Sequence, residues 1–164
     1  MPVSDFYTAT FTPTVASASV TAVGSLIANT TKRAWCVGVR CRIVTTSAAA
    51  GSTVLIQLAR PANTPTLTTL STVAGNDYAA PASISQIAST WSTAPTVSTA
   101  VGGVPAAYEL PLAPGAMWAE FPPQGAEWGV PALGNTAANT GLHLFVTASV
   151  ATSATYGFDL IFSE

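Results

Sequence analysis

One run constrains this chain more than any other. Residues 34–45 read Ala-Trp-Cys-Val-Gly-Val-Arg-Cys-Arg-Ile-Val-Thr, an alternation of period two that specifies a β-strand. Trp35, Val37, Val39, Cys41 and Ile43 share one parity and are expected to face a core. Cys36, Gly38, Arg40 and Arg42 share the other and are expected to face away from it. A strand with one apolar face must bury it against a second layer. The remaining question is what supplies that layer.

Composition removes the helical answers. Only 7% of the 164 residues are charged, against about 25% in ordinary domains. Ala, Thr and Ser fill 69 positions. Glu, Lys, Arg and Leu are too scarce for a bundle or coiled coil. With 49% hydrophobic residues and a net charge of −2, disorder is excluded as well. The uncharged stretch 6–31 is broken by Pro13 and Gly24, so it does not approach the about 20 apolar residues of a membrane-spanning helix. The length fits one domain over residues 1–164, with 1–19 as a possible extended arm.

Further strands follow from the same alternation. Residues 53–60 place Val54, Ile56 and Leu58 on one side, and the turn at 47–52 joins them to the first strand as an expected hairpin. Strands are expected at 20–28 and, more weakly, at 6–15. Residues 116–121 and 127–132 form two more, with Pro122-Pro123-Gln124-Gly125 turning between them. Leu142, Leu144, Val146, Ala148 and Val150 align along 142–150, as do Tyr156, Phe158, Leu160 and Phe162 along 155–162. The middle, 61–107, is a long irregular insertion rich in Pro, Thr, Ser and Ala. Short strands near 66–73 and 96–101 and a helical turn near 83–90 would organise it. The sum is an all-β fold: an antiparallel β-sandwich of about eight strands. The face opposite the core carries Val44, Leu55, Phe145 and Ile161, which points to an oligomer interface.

Little in the chain suggests chemistry. His143, the only histidine, falls at outward parity and reads as a solvated or hydrogen-bonded cross-strand residue. Cys36 and Cys41 are five apart, expected on opposite faces and therefore as free thiols. Neither local sequence supports a Cys–His nucleophile, and no spacing supplies a metal cluster. Glu120 and Glu127 flank the Pro-Pro turn and could approach a glycosidase-like separation, but no third polar group joins them. Gly24 and Gly102-Gly103 lack the strand–loop–helix setting of a phosphate loop. The expectation is a protein that is not an enzyme and needs no cofactor.

Charge is distributed more tellingly than its total suggests. All five cations, Lys32, Arg33, Arg40, Arg42 and Arg60, fall between residues 32 and 60, while six of the seven acids fall after residue 76. Such asymmetry suits an acidic partner surface, a contact between copies of the chain, or cross-strand pairing of opposite charges inside one sandwich. Nucleic acid is a poor fit, because the cations are few and the pI is about 5.2. Of the tryptophans, Trp35 is expected in the core and Trp128, beside Gly129 and Pro131, partly exposed. These cations and Trp128 are the candidate partner contacts. The opening Met-Pro-Val-Ser-Asp-Phe-Tyr has neither a cation nor an apolar run, so retention in the cytosol is expected.

The order of these features resembles a known family. It runs from Cys41-Arg42-Ile43 through Gln57-Leu58-Ala59-Arg60 to a Thr/Ser/Pro-rich middle and Leu112-Ala113-Pro114-Gly115. Trp128-Gly129-Val130-Pro131, a Gly/Asn loop, Gly141-Leu142-His143-Leu144-Phe145-Val146 and a final strand ending at Glu164 complete it. Over 35–164 the chain resembles the small jelly-roll capsid decoration (cement) proteins of tailed bacteriophages. The resemblance implies a jelly roll, often a homotrimer, bound to the major capsid protein on the outer surface of the virion and assembled in the host cytoplasm. It implies no catalytic residues, no membrane and no nucleic acid. The alternative is a carbohydrate- or receptor-binding jelly roll of a phage tail or head fibre, which exposed Trp128 and Trp118 beside Asn135, Asn139 or Asp77 would favour.

Overall fold

A computed structural model describes residues 5–28, 33–76, 81–83, 85–100, 103–123, 127–130 and 141–164. These form strands and connections, with no helix among the described residues. In chain order the strands are β1 (Phe6–Phe11), β2 (Thr14–Val15), β3 (Thr21–Ile27), β4 (Ala34–Thr46), β5 (Thr53–Ala59), β6 (Thr66–Leu67) and β7 (Ser71–Thr72). They continue with β8 (Gln86–Ala88), β9 (Trp91–Thr93), β10 (Ala106–Pro111), β11 (Met117–Glu120), β12 (Trp128–Val130), β13 (Leu142–Ala148) and β14 (Ala154–Ser163).

Two antiparallel sheets carry the core. The first runs β1-β14-β4-β11, with β2 on β14 and β12 on β4; the second runs β10-β5-β13-β3-β8-β7. The pairing is nested: β5 with β10, β4 with β11, β3 with β13 and β1 with β14. The pairs β4–β14 and β5–β13 then knit this nest into two layers. Facing inward are Tyr7, Phe11, Leu26, Val39, Cys41, Ile43, Ile56, Leu58, Leu144, Tyr156, Phe158, Leu160 and Phe162, one apolar cluster with almost no exposed surface. Alternation along each strand produces it, because every second side chain points into the same space.

Several expectations change. Residues 34–46 and 53–59 are not a hairpin; β4 and β5 belong to opposite sheets, so the 47–52 turn carries the chain across the sandwich. Likewise β11 and β12 do not pair with each other. Both lie antiparallel to β4, Glu120 opposite Val39 and Trp128 opposite Cys36, as one interrupted edge strand. Residues 86–88, expected in a helical turn, are extended and pair with β3 and β7. Val97 makes a single bridge to Pro61 where a strand was expected. Residues 106–111, not expected as a strand, form β10.

The insertion also straps the sandwich. Its β7 and β8 extend the second sheet, while Gly75 bridges Tyr7 of β1 in the first. Asn76 donates its N–H to the Phe6 carbonyl at 2.9 Å and its side-chain amide to Thr8 Oγ1 at 3.0 Å. An edge strand that would otherwise offer unpaired backbone is thereby partly covered.

Candidate functional site

Parity decides which side chains meet a partner, and in β4 it changes midway. Opposite Ile161 and Phe162 the register slips, so that Gly38 and Cys36 are the consecutive partners and Val37 is the extra residue. A bulge of this kind rotates the strand and exchanges its faces. Trp35 is consequently 37% exposed rather than in the core, and Cys36 is buried. Cys41, beyond the bulge, keeps its inward parity, so both cysteines sit in the core as free thiols instead of on opposite faces. Burial pushes both thiols up to about 12.

The outer face of β1-β14-β4-β11 therefore collects Trp35, Arg40, Arg42 and Val44 from β4, with Phe6 from β1 and Met117 from β11. Met117 is 72% exposed and Phe121, just after β11, 51% exposed. The Phe121 ring lies over Gly38, where a Cβ would stand 2.5 Å from it, and the Arg40 guanidinium lies 5.4 Å from the ring centre. Trp35 is held in a similar way, with Gly129 beneath its indole and the Arg33 guanidinium 5.2 Å above. Cations over aromatic rings are favourable at such distances and keep guanidiniums in place at a surface.

One row crosses the whole sheet: Thr10, Asp159, Arg40 and Ala119, each opposite the next. Thr10 Oγ1 donates to Asp159 Oδ1 at 2.8 Å, which draws the carboxylate towards β1. The neighbouring row, Gly157, Arg42 and Met117, contains no acid. Between the two rows lies a hollow of about 340 Å³ lined by Arg40, Arg42, Met117, Ala119, Gly157 and Asp159. Trp118 and Cys41 lie beneath it, and Trp118 is buried, with Tyr108 stacked on it at 5.8 Å.

The other expected residues sit elsewhere. Arg60 is a tie between the layers: its guanidinium donates to the Gly129 carbonyl at 2.8 Å. Trp128 is half-buried against the core. Glu120 and Glu127 bracket the excursion between β11 and β12 instead of flanking a hairpin. Lys32, Asp77, Asn135 and Asn139 lie outside the described residues.

His143 departs most from expectation. It is fully buried on the outer side of the second sheet, its Nδ1 2.6 Å from Ser25 Oγ, and its Nε2 has no partner among the described residues. Ser25, Ile27, Ala59 and Phe145 are buried with it, so this side of the sheet is covered by the chain itself. Phe145 is thus withdrawn from any oligomer interface. Val44, by contrast, is exposed on the first sheet. No group of three or more His, Cys, Asp or Glu that could hold a metal is found among the described residues.

Sequence reasoning missed Trp35, Phe121 and Met117. The run Trp-Cys-Val-Gly-Val is apolar at both parities, and only Gly38 hints that a ring lies over the strand. The chain matches no family model, no curated protein and no solved structure.

Proposed function

We propose that this protein is a non-enzymatic structural component of a bacteriophage virion that decorates or stabilises the outer surface of the capsid as a homo-oligomer. The observation that carries the reading is the outer face of the first sheet. Exposed Met117, Phe121, Trp35, Val44 and Phe6 surround Arg40 and Arg42 on a rigid antiparallel layer. An exposed apolar patch set with arginines has the composition of a docking surface, in which buried area supplies affinity and charge sets orientation. The nested strand order supports reading the sandwich as a jelly roll, a fold used by capsid and lectin domains alike. A sugar-binding role is less well supported, because Trp118 is buried and Trp128 is half-buried against the core.

The test is capture of the purified protein by phage particles stripped of their accessory proteins. Arg40→Glu with Arg42→Glu should reduce capture by the folded protein about tenfold, with a modest fall in melting temperature from the like charge set opposite Asp159, whereas Glu120→Gln should leave capture unchanged. Raising salt to molar concentration should weaken capture only modestly, since exposed ion pairs contribute about 0–1 kcal/mol each. Light scattering should give about three times 16.6 kDa. A monomer that no particle captures, or a hit on a glycan array in its place, would overturn the reading.

A further inference from the structure

Arg40 and Arg42 point to the same side of β4, two residues and therefore about 7 Å apart along the strand. Both line one hollow, where two like charges are unfavourable unless an anion lies with them. Within the sheet Asp159 stands opposite Arg40, but one of its oxygens is engaged by Thr10 at 2.8 Å. Arg42 stands between Gly157 and Met117, neither of which can neutralise it. The missing side chain at Gly157 gives Arg42 its place: a Cβ there would be 2.8 Å from Arg42 Nε, so the arginine lies across the glycine. Arg40 meanwhile rests over the Phe121 ring. The space between the two arginines is the hollow of about 340 Å³, walled by Met117 and Ala119 on the β11 side.

We propose that this hollow is a socket for one carboxylate side chain of a protein partner, an aspartate or glutamate flanked by apolar residues, seated between Arg40 and Arg42. The proposal rests on the docking reading above and names the chemistry of the partner at this site. Arginine suits the task, because its planar fork meets a carboxylate through two parallel hydrogen bonds. Exposed Met117 and Ala119 on one side offer apolar contact to a ligand with aliphatic neighbours. Asp159 holds a negative charge at the rim and weakens the socket for any anion, so preference for a carboxylate over a tetrahedral oxyanion rests on the planar two-oxygen fit and on the apolar neighbours.

The experiment uses the full-length protein, labelled for NMR and titrated with capped Leu-Glu-Leu, capped Leu-Gln-Leu and inorganic sulfate. The glutamate peptide should shift the Arg42 side-chain signal and the amides of Met117, Ala119 and Gly157. It should bind at least fivefold more tightly than the glutamine peptide and more tightly than sulfate. Arg42→Gln should abolish that preference, and Arg33→Gln, outside the hollow, should preserve it. Gly157→Ala tests the geometry without altering charge: the added methyl displaces Arg42 and should weaken the glutamate peptide about threefold. Asp159→Asn should strengthen it. Equal binding of the two peptides, stronger binding of sulfate, or a preference that survives Arg42→Gln in a folded protein would overturn the socket. If particles capture the protein while the peptides are not distinguished, the socket fails and the docking reading stands. A clear peptide preference without particle capture supports the socket and overturns the capsid reading.

Discussion

An imidazole buried without a charged neighbour loses hydration that its protonated form needs, and burial lowers His143 to about 4 from 6.5. Its cross-strand neighbours are Ser25 and Ala59, and neither offers a counter-charge. The folded state therefore holds the neutral ring. Above pH 6.5 both folded and unfolded chains are neutral at this residue, and it adds no pH dependence. Between about 6.5 and 4 the unfolded chain takes up a proton that the folded one refuses, so stability falls as pH falls, by on the order of 3 kcal/mol over the window. Thermal melts from pH 7 to 4 should show this slope. His143→Gln, which can still meet Ser25, should flatten it; an unchanged slope would assign the effect to other groups. The thiols make a second case at the same scale. With both pushed up to about 12 by burial, Cys36 and Cys41 should resist a thiol reagent at pH 8 in the native protein and react fully in denaturant.

Strand positions were largely legible in the sequence, and faces much less so. β4, β5, β13 and β14 lie where alternation places them, because each carries large apolar residues at every second position, and β3 falls within the expected 20–28. The direction of Trp35 and Cys36 was not legible, since the bulge at Val37 depends on pairing with β14 and leaves no local mark. Partnership between strands was similarly hidden: a short turn at 47–52 favours a hairpin, but burial of both apolar faces is better served by crossing to the other sheet. The site followed the same division. Arg40 and Arg42 could be placed outward from parity alone, whereas Phe121, Met117 and the gap over Gly157 required the fold. Two substitutions test the elements themselves. Gly24→Ala would set a methyl 3.0 Å from the buried Phe11 ring and should destabilise by about 1–3 kcal/mol in denaturant titration. Ser83→Ala removes a hydroxyl that accepts from Val73 N–H at 2.9 Å and donates to the Ser85 carbonyl at 2.7 Å. Losing both partners in a buried strap should cost about 1–3 kcal/mol and speed hydrogen exchange in β7 and β8 ahead of the core.

For the whole molecule the nested order has a kinetic consequence. The inner of the four nested pairs, β5 with β10, already encloses the long insertion with its short pairs β6–β9 and β7–β8, and the outer pair joins Phe6 to Ser163. Nearly all stabilising contacts thus span long stretches of chain, and loop closure must precede their reward. Refolding is expected on the millisecond-to-second scale or slower. If assembly proceeds outward from the inner pair, Ile56→Val should chiefly slow folding, and Phe162→Leu should chiefly speed unfolding. Stopped-flow chevrons on the two variants would show the opposite pattern if β1 and β14 meet first.

The pairing of Phe6 with Ser163 also fixes how the molecule bears tension. These residues lie at the same end of an antiparallel pair, and the ladder bonds run across the strands. A pull applied between them loads those bonds one after another, as in opening a zipper, instead of sharing the force among all six register pairs of β1 and β14. Held by these two points, the sandwich should peel at low force. A load entering through the face of Arg40, Arg42 and Met117 would instead be spread over four laterally bonded strands, so that face is the mechanically stronger attachment.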